Sequence, residues 1–294
     1  MKYHIEQACR IRFAQPAREH HVQIRLTPWD DESQSLVNVV LRVEPSADPV
    51  ASYDCFGNLS HHFAVLGSHR ELSFSIAADV ETRRENPFDF SLVPPERERA
   101  WIADSLRQAP RLWDFVLHRS ALVPTLADEV SGREIPEYRE GVSLIEQVQA
   151  AFGWVGCSMR YDPALEASGS DLSAPLAAGR GSAADLAHLL IALVRHWQVP
   201  ARFVSGYLDA AYFDDSAQAL GAISSQRLHH WVEVLIPGGG WRGFDPALEL
   251  AADATYVRVA IGRDADDIRP LRQACRSDGE GPELDESLMV SRVS

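Results

Sequence analysis

The chain has 294 residues, 46% hydrophobic and 24% charged, with a formal net charge of −14. That length holds one large domain or two ordinary ones, and the composition suits a soluble globular protein. No basic run offsets the acidic balance, which excludes a nucleic-acid partner gripped through its phosphates. No stretch reaches the roughly 20 apolar residues of a membrane span. The first residues, MKYHIEQACRIRFAQ, lack the apolar centre of a signal peptide, so a cytoplasmic location is expected.

Residues 1 to about 90 read as an N-terminal β domain. Val22–Thr27 and Leu72–Ala78 alternate apolar with polar or small residues, and Val37–Val43 is rich in branched side chains. Asp54-Cys55-Phe56-Gly57-Asn58 supplies a turn. Several closely spaced strands predict a sandwich-like module. Residues 86–96 are polar and proline-rich, a linker composition. Helical segments follow over 96–122, broken at Pro110, and from about Tyr138 to Phe152. Cys157 then falls in a loop-like stretch after Gly153-Trp154-Val155-Gly156.

After a loop over 163–181, Ser182 is a good N-cap for a helix apolar on most sides and therefore buried. Pro200 stops it. Strands are expected over Ala201–Leu208, Trp231–Ile236 and Trp241–Phe244, the last two joined as a hairpin by Pro237-Gly238-Gly239-Gly240. A three-residue loop over 237–239 pairs 231 with 245 and makes Asp245 the diagonal, same-face neighbour of His229. A four-residue loop reverses that parity, and both registers fit the sequence. The acidic end from about 277 reads as a mobile tail.

Acyl transfer through a thiol needs a thiolate, a histidine that takes and returns its proton, and a group that orients the imidazole. The mouth of a buried helix favours a thiolate, because free backbone N–H groups and the helix dipole stabilise it. Residue 183 occupies such a mouth, but it is alanine. Ser182, the neighbouring hydroxyl, is displaced by about 100° around the axis and serves as the cap. The four cysteines, Cys9, Cys55, Cys157 and Cys275, form no CxxC pair and are expected to be free thiols; Cys157 is the one alternative nucleophile. The doublets His20-His21, His61-His62 and His229-His230 place neighbours on opposite strand faces, so no metal site is expected. His188, on the buried helix, reads as a hydrogen-bonded core histidine.

Three segments together resemble the bacterial transglutaminase-like superfamily of the cysteine-peptidase type: Gly179-Arg180-Gly181 with its following helix, Val199–Leu208, and His229 to Pro246 through PGGGW and GFDP. Tyr256–Asp264 and Asp266-Asp267-Ile268 resemble that family's ending. Asp54, Phe56–Asn58 and His62-Phe63 resemble its N-terminal β domain. The resemblance implies an α+β fold: a transglutaminase-like core over 97–270, with the nucleophile helix packed on an antiparallel sheet, behind the β domain. By it, Ala183 stands where the family has its nucleophilic Cys, His229 is the base and Asp245 its orienting acid. Asp185 and His188 hold supporting positions, Trp231 and Trp241 line or back the cleft, and backbone N–H groups near 183 stabilise the transition state. His230, Ala184 and Ala247 depart from the usual residues. The resemblance implies a peptide or isopeptide amide as substrate, and no cofactor or metal. Two functions follow: a cysteine peptidase or acyl transferase whose nucleophile has been replaced, or a natural pseudoenzyme that binds peptides or proteins.

Overall fold

A computed structural model of the chain describes residues 1–126, 129–165, 171–209, 227–279 and 281–293. Strand β1 (Lys2–Ile24) alternates buried and exposed side chains over its first half, with Tyr3, Ile5, Cys9 and Ile11 inward. Its pairing shifts register between Arg12 and Ala17. The two halves therefore serve two layers. Residues 2–12 pair with β5 (His69–Thr82), which pairs in turn with β2 (Gln34–Glu44). Residues 20–24 pair with β4 (Leu59–Val65), which carries β3 (Val50–Tyr53). Ile11, Phe13, Ile24, Phe63, Leu72 and Phe74 belong to one core of this sandwich-like module. The expected strand at Val22 is the end of this long strand, not a separate one.

The 86–96 segment behaves unlike a linker. Arg242 Nε donates to the Pro87 carbonyl at 2.9 Å, and its guanidinium lies 4.7 Å from the Phe90 ring centre. A Cβ on Gly238 would stand 2.2 Å from the Ser91 carbonyl oxygen, so this turn needs glycine both for space and for its φ of +79°. The N-terminal module is tied to the core elsewhere too. Asn58 exchanges side-chain hydrogen bonds with both backbone groups of Ile261 at 2.7 and 2.8 Å. Glu233, with its carboxyl held down at about 2 by Arg202 and Arg258 against the opposing effect of burial, joins a buried ion chain that ends at Asp31.

Helix α1 (Pro95–Gln108), a 3-10 turn (Pro110–Trp113) and α2 (Asp114–Leu117) open the core, followed by the small ladder β6 (Glu129–Val130) and β7 (Arg133–Glu134). Helix α3 runs over Leu144–Ser158, later at both ends than the sequence predicts. Packing carries it past Gly153 and Gly156, since Val155 is fully buried one turn before its end. Cys157 is consequently an exposed helical residue. Then come β8 (Arg160–Tyr161), α4 (Ser173–Ala178), β9 (Arg180–Gly181), which runs parallel to β8, and α5 (Ala183–His196).

Every residue of α5 from Ala183 to Arg195 is buried. It packs on an antiparallel sheet ordered β13 (Leu250–Ala251), β12 (Gly240–Asp245), β11 (His229–Ile236), β10 (Ala201–Leu208), β14 (Tyr256–Gly262). Arg195, with no exposure, donates to the carbonyls of Ala201, His118 and Arg263 and so pins three segments at the helix end.

The C-terminal end corrects the expected mobile tail. Strand β15 (Leu271–Arg276) pairs with the second half of β1, and β16 (Glu283–Val293) pairs with Lys2–Arg12 in unbroken register. Backbone pairing needs no apolar sequence, and the first half of β1 offers an edge that β5 leaves open. Leu288 and Val290 add contacts to the main core. Among the described residues no helix is long and apolar enough to cross a membrane.

Candidate active site

The hairpin turns with the three-residue loop: Ile236 pairs with Gly240, Leu235 with Trp241 and Val232 with Phe244. That register puts Asp245 diagonal to His229 on one face. His229 Nε2 lies 2.6 Å from Asp245 Oδ2. The carboxylate is fully buried and completely engaged. Its Oδ1 accepts from the Ala247 and Leu248 N–H groups at 2.9 and 3.2 Å, and its Oδ2 also accepts from the Tyr256 hydroxyl at 3.0 Å. Facing a carboxylate oxygen, the imidazole presents Nε2–H to it and so keeps its lone pair on Nδ1.

The helix mouth is equally ordered. Ser182 and Asp185 form a capping box. Ser182 Oγ donates to Asp185 Oδ2 at 2.7 Å and accepts from the Asp185 N–H at 3.3 Å. That hydroxyl is committed to the cap. Gly181 permits the approach: a Cβ there would lie 2.5 Å from Met159 Sδ and 2.9 Å from Asp185 Cβ. Ala183 and Ala184 are the first two helical residues, and the box uses neither of their N–H groups.

Ser182, Ala183, Ala184, His229 and Tyr161 line one cavity of about 780 Å³. The opposite side comes from the N-terminal sheet and its returning strand, through Gln7, Leu284 and Glu286. Gln7 is fixed from behind, its Oε1 accepting from the Tyr207 hydroxyl at 2.9 Å. Tyr161 is pushed up to about 12, first by burial and then by the charges of Asp245 and Asp162, so it is a neutral phenol at the cavity wall.

The two tryptophans do not line this cavity. Trp231 is buried beneath the site, its ring edge-on to Tyr256 at 5.3 Å. Trp241 faces elsewhere, 5.6 Å from Phe115 and under the Arg202 guanidinium. In the register observed it pairs with Leu235, well down the hairpin from His229. His188 is only half satisfied: Nε2 accepts from the Ala265 N–H at 3.2 Å while Nδ1 has no partner among the described residues. Its ring stacks on Phe203, which stacks on His230. Burial pushes His188 down to about 4 and His230 to about 3, so both are neutral near pH 7. Cys157 is not among the cavity's residues. Among the described residues no group of three or more His, Cys, Asp or Glu could hold a metal ion.

Tyr256 and β16 are the parts that the sequence reading missed. Tyr256 is 11 residues past Asp245 and meets it only through the β14–β10–β11 order of the sheet. The β-branched residues Val257, Val259 and Ile261 at alternate positions signal a strand but not its neighbour.

Residues 125–246 match the transglutaminase-like superfamily, and residues 3–81 match the bacterial transglutaminase-like N-terminal region. An uncharacterized protein of Mycobacterium leprae is 25% identical over 96% of this chain and 95% of its own length. One of Mycobacterium tuberculosis is 26% identical over 98% of this chain and 92% of its own. A solved structure from Cytophaga hutchinsonii, named as a "putative cysteine protease", superposes with a TM-score of 0.69 at 20% identity, covering 100% of this chain and 92% of that one.

Proposed function

For a chain that joins a bacterial transglutaminase-like N-terminal region to a transglutaminase-like core, we propose the chemistry of a cysteine peptidase or acyl transferase, halted at one missing atom. The substrate is a peptide or isopeptide amide. His229 is the base, Asp245 its orienting acid, and Ala183 holds the nucleophile's place. One observation carries this reading: the 2.6 Å His229–Asp245 pair opens into the same cavity as the first turn of a buried helix.

With sulfur at 183, Nδ1 would take the thiol proton and Asp245 would hold the resulting imidazolium. The thiolate would add to the amide carbonyl, and N–H groups at the helix mouth are suited to the developing oxyanion. The amine would leave with the proton from Nδ1. Water or a second amine would then take the acyl group from sulfur. As the chain stands, the first step has no nucleophile. Ser182 does not replace it, because its hydroxyl already donates to Asp185.

A natural binding module remains the second reading. The further departure at Ala184, which lines the cavity beside Ala183, supports it. The departure at Ala247 weighs little between the two, because position 247 serves Asp245 through its backbone N–H.

The test is Ala183→Cys, labelled with iodoacetamide at pH 6. The new thiol should react far faster than Cys55 or Cys157, and adding His229→Ala should abolish the excess. Equal rates in the two variants would reject the pairing. The codon at 183 in the source gene separates the two readings, Cys supporting the first and Ala the second, and a peptide library screened on the unaltered protein identifies the ligand under either.

A further inference from the structure

We infer that Tyr256 is a positioning residue that sets the proton affinity of His229 through their shared partner, Asp245 Oδ2. This extends the proposed role of His229 but rests on geometry present without any nucleophile. Asp245 Oδ2 receives His229 at 2.6 Å and the Tyr256 hydroxyl at 3.0 Å. The phenol is buried, 6% exposed, and its ring is held edge-on by Trp231. Its backbone is fixed as well, the N–H donating to the Asp253 carbonyl at 3.2 Å.

A phenol against a carboxylate is a donor, and here it cannot become anything else. Burial, then the charge of Asp245, raises Tyr256 well above its ordinary range. Each donor on Oδ2 draws charge from that oxygen and reduces what remains to stabilise an imidazolium. Tyr256 therefore lowers the proton affinity of His229, favouring the neutral ring that a base requires at neutral pH.

Other groups bear on the same imidazole. Tyr161 approaches Asp245 from β8 as a neutral phenol. His230 adjoins on β11 and is neutral near pH 7. Arg227 lines the cavity before β11, together with Glu286 across it on β16. Asp253 acts on Tyr256 from the loop before β14. Tyr256 is the one that shares an atom of Asp245 with His229.

The experiment is an NMR titration of the His229 ring in the unaltered protein and in Tyr256→Phe. Loss of the phenol should raise the His229 midpoint by about one pH unit. An unchanged or lowered midpoint would overturn the inference. If Tyr256→Phe does not fold, 3-fluorotyrosine incorporated at position 256 alone supplies a more acidic donor. The His229 midpoint should then fall, and no change or a rise would overturn the inference. Asp245→Asn in the same titration reports on the dyad separately. If it lowers the midpoint and Tyr256→Phe does nothing, the dyad stands and the role of Tyr256 fails. If Asp245→Asn has no effect, the dyad itself fails.

Discussion

The cavity has two unlike walls. On the core side, His229 is 8% exposed and Asp245 not at all, and all four acceptor contacts of Asp245 are made within the sheet and the turn after it. On the other side, β16 offers Leu284 at 48% exposure, from a strand paired only with β1 among the described residues. The first wall is held by the four donors that converge on the buried Asp245 carboxylate, and moving one of these groups would leave a buried charge less well bonded. The second can vary with little penalty to the fold. Under the proposed function, the core wall is the chemical wall and the β16 wall the recognition wall.

Four measurements would break or sharpen that contrast. Asp245→Asn should have the largest effect of any single group, a loss of about 3–5 kcal/mol in urea unfolding, because it disrupts a buried, fully bonded charge. A loss below 1 kcal/mol would mean that the core wall is not interlocked. Next is Ala183→Cys. A thiol activated at the helix mouth should react about 100-fold faster at pH 6 than an exposed cysteine; a rate equal to that of Cys55 would remove the chemical wall.

Acid comes third. His188 and His230 are held neutral by burial, at about 4 and about 3 against 6.5 in the unfolded chain. The unfolded state then takes up protons first as pH falls, so stability should decline from about pH 6.5 towards pH 4, on the order of 3 kcal/mol for each histidine and about 6 for the two. His188→Phe should flatten part of that slope, and an unaltered slope would contradict the assignment. The smallest effect belongs to the recognition wall. Leu284→Ser should leave unfolding within about 0.5 kcal/mol of the parent. It should weaken binding of a library-selected peptide about tenfold, by about 1.4 kcal/mol. A large stability loss with unchanged binding would reverse the assignment of the two walls.

Much of the chemical wall was legible before any coordinates. Ser182 as an N-cap signals a helix start, and Pro237-Gly238-Gly239 confines the hairpin to a few registers. The register itself was not legible, since three- and four-residue loops both fit and only the observed pairing puts Asp245 on the face of His229. Trp241 was misplaced because resemblance carries a residue's neighbourhood but not its distance from the site. Cys157 looked like a loop residue because Gly153 and Gly156 precede it, yet packing on α5 sustains the helix through both.

From the sequence alone came the elements whose causes are local: the capped and buried helix, the glycine turn, the alternating strands, and the empty place at 183. Tertiary structure alone decided the contacts between distant segments. It turned an acidic C-terminus into the edge strand beside Lys2–Arg12, closed the second wall of the cavity with it, and brought Tyr256 to Asp245. The reason is that strand pairing is made by backbone groups common to every residue, so composition does not name the partner; an open edge and the packing around it do.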